Sequence, residues 1–199
     1  MRTSIFPALA VILGMIIGCK DNEQPPVNQN VPDSTKTNKA YFPVLDFLKG
    51  EIMMVDSLSA GIQKYIVKDS KSDSSYIPLE EFKRIAKEFL PEDLNSEAFE
   101  KNYKETAFFD QTTHLYTFTY STDNKDLDVQ RVDVLVNNGE GFDKVKSVYI
   151  EKYIISADTS TVKKMYWKAG RSLLINSETI RASGNPELQQ LKVVWRNWD

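Results

Sequence analysis

Histidine occurs once in this chain, at His114, and cysteine once, at Cys19. Those two residues bound the nucleophilic and metal chemistry. A Ser-His-Asp triad needs a histidine base, so His114 is its single candidate, and no G-x-S-x-G elbow surrounds a serine. At the start of a strand, a lone histidine reads first as a surface or packing residue. A thiolate or imidazole metal site lacks the ligands to complete it. Acid pairs are the remaining route to catalysis, because a glycosidase needs two carboxylates, one with a raised pKa. Glu80 and Glu81 follow Pro78 and read more simply as first-turn helix acids, where the helix dipole favours negative charge. The run Asp123-Asn124-Lys125-Asp126-Leu127-Asp128 spaces acids like calcium ligands. It lacks the central Gly and closing Glu of an EF-hand loop, so it reads as a solvated hairpin loop. Neither a G-x-G-x-x-G nor a Walker phosphate cradle occurs. No catalytic residue, cofactor ligand or metal ligand is assigned.

Cys19 carries a different chemistry. Arg2 supplies a positive start, Ile5 to Ile17 is almost unbroken apolar sequence, and Ile16-Ile17-Gly18-Cys19 closes it. The apolar run, about 13 residues, fits a signal-peptide core and falls short of the ~20 that a transmembrane helix needs. Ordinary cleavage wants an A-x-A pattern; branched residues, a small residue and then cysteine resemble the signal peptide and lipobox of bacterial lipoproteins. The resemblance implies cleavage after Gly18 and acylation of Cys19, which becomes the lipid attachment point. One acyl chain anchors only marginally, whereas the two or three implied here hold firmly, at about 0.8 kcal/mol per buried methylene. Acylation would also account for an unpaired cysteine in an oxidising compartment. Lys20-Asp21-Asn22-Glu23 is similar to the Lys-plus-acidic signal that places some Gram-negative lipoproteins on the cell surface. Asn22 interrupts its acids, and the start of a solvated linker is an equal alternative. The expected location is the bacterial outer membrane, on its periplasmic or cell-surface face.

The anchor must be joined to whatever folds. Residues 1–18 are expected to be removed, and 19–40 to be the lipidated cysteine and a disordered linker. Pro25, Pro26 and Pro32 there sit among Asn, Gln, Ser and Thr with no aromatic residue. Such a stretch buries too little apolar area to offset its ordering entropy. As a coil its reach is roughly 25 Å, which keeps the body near the membrane. Residues 41–199 are read as one domain, long enough to enclose an adequate core. Losing Arg2 moves the formal charge from −3 to about −4, and this mild acidity argues against nucleic acid as a partner.

Helical periodicity comes first in the body. Leu45, Leu48, Ile52 and Val55 form one apolar stripe after Pro43. Gly61 to Lys68 reads as a short strand, and Asp69 to Ser75 as a polar loop. A second helix opens at Pro78 with Leu79, Phe82, Ile85, Ala86 and Phe89 inward, and Pro91 stops it. Asn95 can cap a third helix bearing Phe99 and Tyr103. After Asp110 the period changes to two. Tyr116, Phe118 and Tyr120 share a strand face, Val132, Val134 and Val136 the next, and Asn137-Asn138-Gly139 is a hairpin signal. Val145 to Ile155, Val162 to Lys168, Leu173 to Ile180, and Leu191-Val193-Trp195 follow.

The fold class expected is α+β, with N-terminal helices packed on one face of a five- or six-stranded antiparallel meander sheet. The element order is similar to cone-shaped folds such as the NTF2-like group, a fold-level analogy that implies no activity. The whole resembles lipid-anchored envelope proteins of Gram-negative bacteria. Aromatic residues are the one suggestive bias. Tyr116, Phe118, Tyr120, Tyr166, Trp167, Trp195 and Trp198 are core if they face the helices, and a platform for a glycan or protein partner if they face solvent. Core is the default, with Trp198 the one expected outside. The expected role is a lipid-anchored, non-catalytic binding or assembly module, with the membrane and a protein or glycan as partners. An envelope hydrolase using paired carboxylates is the alternative.

Overall fold

A computed structural model describes residues 41–58, 61–138, 144–182 and 184–196. Cys19, the export segment, the tether, Gly139 of the hairpin signal and Trp198 lie outside these described residues.

Helix α1 spans Val44–Asp56 and buries Val44, Phe47, Leu48 and Val55. The buried stripe is rotated from the one read in sequence: Leu45 and Ile52 are only partly covered, because the larger Phe47 takes the inward position. Helix α2, Leu79–Ala86, starts after Pro78 with Glu80 and Glu81 in its first turn, and buries Phe82, Ile85 and Ala86. Short 3₁₀ turns follow at Lys87–Phe89 and Glu92–Leu94. Helix α3, Ser96–Asn102, is capped by Asn95, whose side chain accepts a hydrogen bond from the Ala98 N–H at 2.9 Å. This satisfies one of the unpaired donors of the first turn.

The strands are β1 Ile62–Lys68, β2 Lys71–Ile77, β3 Lys104–Asp110, β4 Leu115–Ser121, β5 Val129–Asn137, β6 Val145–Ile155, β7 Thr159–Lys168, β8 Ser172–Arg181 and β9 Glu187–Val194. They make one antiparallel sheet in the order β2-β1-β9-β8-β7-β6-β5-β4-β3. From β3 to β9 the chain meanders, and β9 then pairs with β1, which joins the first hairpin to the meander. The sheet thus has nine strands among the described residues, where five or six were expected. The difference lies chiefly at its edges. In sequence β2 reads as a polar loop, because Lys71-Ser72-Asp73-Ser74-Ser75 shows no apolar alternation. An edge strand that is exposed on both faces needs none. The turn before it is a two-residue hairpin connection with Asp69 and Ser70 at φ 49° and 63°, the left-handed pair that matches strand twist. β3 lies before Asp110, where the sequence reading places the change to period two.

One face of the sheet carries the core. Leu173, Trp167, Val148 and Val134 stand in a cross-strand row, with Ile175, Met165, Ile150 and Val132 in the next. All eight are buried. Phe82 of α2 lies with its ring centroid 6.4 Å from that of Trp167 and 5.3 Å from that of Trp195. The Glu51 carboxylate of α1 accepts from Trp167 Nε1 at 3.0 Å and from the Gly170 N–H at 2.6 Å. Gly170 sits at φ 66° in the β7–β8 turn, a conformation glycine adopts without penalty. At the other end of α1, the Tyr41 hydroxyl donates to the Tyr103 carbonyl and the Phe42 N–H donates to the Tyr120 hydroxyl. No helix among the described residues is long and apolar enough to cross a membrane.

Candidate functional site

Strand alternation sends every second side chain of the meander to the face opposite the core. On that second face, Val67 of β1 stands beside Gln190 of β9, Asn176 of β8 and Lys164 of β7 in one cross-strand row. Leu188, Glu178 and Val162 form the neighbouring row, which continues to Tyr153 of β6. Val67, Gln190, Asn176, Lys164, Leu188, Glu178 and Val162 line a groove of about 520 Å³, bounded by Asp69 and Ser70 at one side and Pro186 at another. Volumes of this size suit small ligands or a few units of a polymer.

The groove combines apolar and polar groups. Val67, Val162 and Leu188 supply apolar floor, and Leu188 is 61 % exposed. Gln190 Nε2 donates to Asn176 Oδ1 at 2.9 Å, which fixes the orientation of both amides. That bond uses one Gln190 donor and one acceptor site of Asn176, so each amide keeps further hydrogen-bonding capacity. Glu178 and Lys164 add one charge of each sign. Tyr65, Tyr166 and Tyr153 surround this region and are all partly exposed.

The strands under the groove are tied from the other side of the pleat. Glu187 pairs with Lys68 at 2.5 Å and with Arg181 at 2.9 Å, linking the ends of β1, β8 and β9. Hydrogen bonds from Lys68 and Arg181 pull the Glu187 carboxyl down to about 2. A second hydrogen-bonded carboxylate, Asp110, is also held below its ordinary value, by the Thr113 hydroxyl and the Thr112 N–H.

The candidates singled out in sequence are scattered. His114 is exposed at φ 56° in the β3–β4 turn, with its ring centroid 6.3 Å from that of Phe109. Glu81 pairs with Lys64 of β1 at 2.5 Å, and Glu80 lies 3.7 Å from Lys83. Asp123 pairs with Lys104 at 3.1 Å, and Asp126 and Asp128 are exposed in the same loop. Among the described residues no group of three or more His, Cys, Asp or Glu is arranged to hold a metal ion. The aromatic set divides between the faces. Tyr120, Trp167 and Trp195 are buried, Tyr116 and Phe118 are half-buried, and Tyr166 is on the second face.

Apart from Tyr166 at its margin, the groove was missed in sequence. Its residues come from segments 67, 162–164, 176–178 and 188–190, and no local motif joins them. A usable signal was present in the polar residues Asn176, Glu178, Lys164 and Gln190. Each falls out of phase with the buried positions of its strand. No family model, curated protein or solved structure matches this chain.

Proposed function

We propose that this protein is a lipid-anchored, non-catalytic binding module of the bacterial outer membrane, held by acyl chains on Cys19 and engaging an envelope glycan in the groove of the second face. In this reading the sheet is a two-sided device. Helices α1 and α2 lie over the core face and give it rigidity, which leaves the second face for recognition. The observation that carries the proposal is the composition of the groove: oriented amides at Asn176 and Gln190 beside an apolar floor, with tyrosines at its margin. Amides and carboxylates match the paired donor and acceptor character of sugar hydroxyls, and aromatic and aliphatic surfaces match the apolar faces of pyranose rings. The Ile16-Ile17-Gly18-Cys19 sequence supports the anchor.

The experiment is titration of the full chain with soluble peptidoglycan oligosaccharides, followed by calorimetry. Saturable binding is expected, weakened at least ten-fold (about 1.4 kcal/mol) by Asn176→Ala or Gln190→Ala. Absence of saturable binding rejects the glycan reading. Release of new reducing ends from the probe moves the assignment to the hydrolase alternative. In parallel, Cys19→Ser is expected to leave the membrane fraction or to remain an uncleaved precursor, and unchanged partition and mass reject the anchor.

A further inference from the structure

The two edges of the sheet differ in kind. β2 is built as a closed edge: Lys71, Ser72, Asp73, Ser74 and Ser75 run in succession, and only Ile77 is buried. Charge and polarity of this sort discourage another strand from adding. β3, at the opposite edge, reads Lys104-Glu105-Thr106-Ala107-Phe108-Phe109-Asp110. Phe108 is 66 % exposed on the second face, and Phe109 is partly exposed on the core side, where its ring centroid lies 4.6 Å from that of Tyr116. No described residue pairs with the outer side of β3. An unpaired edge with an exposed apolar centre, Ala107-Phe108-Phe109, is a template for strand addition.

We propose that β3 is a self-association edge, at which two copies of this chain join antiparallel about a two-fold axis through Ala107. The sequence of the strand selects both the occupant and the register. With the axis at Ala107, Lys104 stands opposite the partner's Asp110, and symmetry repeats the ion pair at the other end of the interface. Thr106 stands opposite the partner's Phe108, and the two Phe108 rings meet diagonally across the axis, within reach for aromatic side chains. Two alanines at the axis let the strands approach without a clash. Moving the axis half a step toward Phe108 is excluded, because it would set Glu105 of the core side against the partner's Asp110 of the second face. A full step to Phe108 carries Lys104 past the partner strand, and shifts toward Thr106 lose the ion pair. The Lys104–Asp123 contact within one chain does not compete strongly, because both side chains are more than four-fifths exposed and such surface pairs contribute little. The rival occupant within the chain is the 20–40 segment, which carries Pro25, Pro26 and Pro32 and no apolar alternation; proline cannot donate to a ladder.

Single-cysteine crosslinking tests the register. In the full chain, purified in mild detergent, Cys19→Ser removes the native thiol. Ala107→Cys then places two thiols on residues that face each other at a Cα separation of about 5 Å, inside disulfide range. Lys104→Cys places them roughly 20 Å apart by the rise per residue. Rapid covalent dimer from Ala107→Cys, at least ten-fold faster than from Lys104→Cys, is the expected result; equal rates overturn the register. Sedimentation of the Cys19→Ser chain at about 100 µM should show dimer, since even a Kd of tens of micromolar populates it there. Phe108→Lys, a change at an exposed position, should weaken that dimer at least ten-fold. A monomer at this concentration, or a dimer indifferent to Phe108→Lys, overturns the proposal.

Discussion

Trp167 and Tyr166 are neighbours in β7, yet they live under opposite rules. Trp167 stands among Leu173, Val148, Phe82 and Phe89 with no exposure, and its indole N–H is fixed by Glu51. Tyr166 stands beside Leu174 and Tyr149 on the second face and is 39 % exposed. The same alternation runs through β8 and β9, where Ile175 and Val193 are buried while Asn176 and Lys192 are not. One face therefore supplies stability, and the other can vary its chemistry without endangering the fold. A groove for recognition belongs on the second kind of face.

The contrast breaks most sharply at Trp167. Trp167→Ala removes a fully buried indole and leaves the Glu51 carboxylate with only the Gly170 N–H of its two donors. Large-to-small core changes of this kind cost about 3–5 kcal/mol, which lowers Tm by roughly 10 °C for a domain of this size. Urea and thermal melts measure it. A loss below about 1 kcal/mol would mean that Trp167 does not organise the core. Trp195 offers an internal comparison. It is equally buried, but its Nε1 has no hydrogen-bond partner among the described residues, so its polar atom adds nothing to offset desolvation.

These differences mark where the sequence was legible. Asn95 announced its cap, and Tyr116-Phe118-Tyr120 and Val132-Val134-Val136 announced strands, because a half-buried strand writes its burial as a period of two. β2 and β3 were illegible for the converse reason: an edge strand open on both faces is under no pressure to alternate. The groove was illegible because the β1–β9 pairing, which brings Val67 to Gln190, is a long-range register that no local window contains. Lys152 was hidden as well. It occupies a core-face position after Val148 and Ile150, where periodicity demands an apolar residue.

Lys152 is the place where the core face departs from its own rule, and its pH response sharpens the comparison. Its ammonium group donates to the Glu88 carbonyl at 2.6 Å, while Lys163 pairs with the Glu88 carboxylate. Burial pulls the Lys152 pKa below its ordinary 10.5; Glu88, Asp128 and Asp93 oppose that shift and Lys163 adds to it. Between the folded value and 10.5 the unfolded chain binds a proton that the folded chain does not, so stability rises with pH through that window. Below the folded value both states are protonated and the penalty is fully present. Tyr103 and Tyr120 act oppositely: burial raises their pKa values, and the stability they contribute is lost as pH climbs above 10. Urea melts of the wild type on the approach to pH 10 should therefore show a rise that Lys152→Met removes. At neutral pH Lys152→Met should change stability by no more than about 1 kcal/mol, or raise it, since replacing buried ionic groups by apolar ones is often neutral or favourable. An identical pH slope in the variant would show that the ammonium is solvated in solution.

The smallest effect is expected at Leu188, whose side chain stands in the groove on the second face. That face is opposite the one that carries the buried cluster. Leu188→Asp should therefore shift stability by no more than about 0.5 kcal/mol, while placing a carboxylate beside Glu178. The like charges would repel an acidic ligand and disturb the apolar floor, so oligosaccharide binding should fall with the fold intact. That pairing of outcomes separates a recognition face from a structural one. A loss of stability above about 1.5 kcal/mol would show instead that another part of the chain packs against Leu188 in solution. The second face would then be a second core.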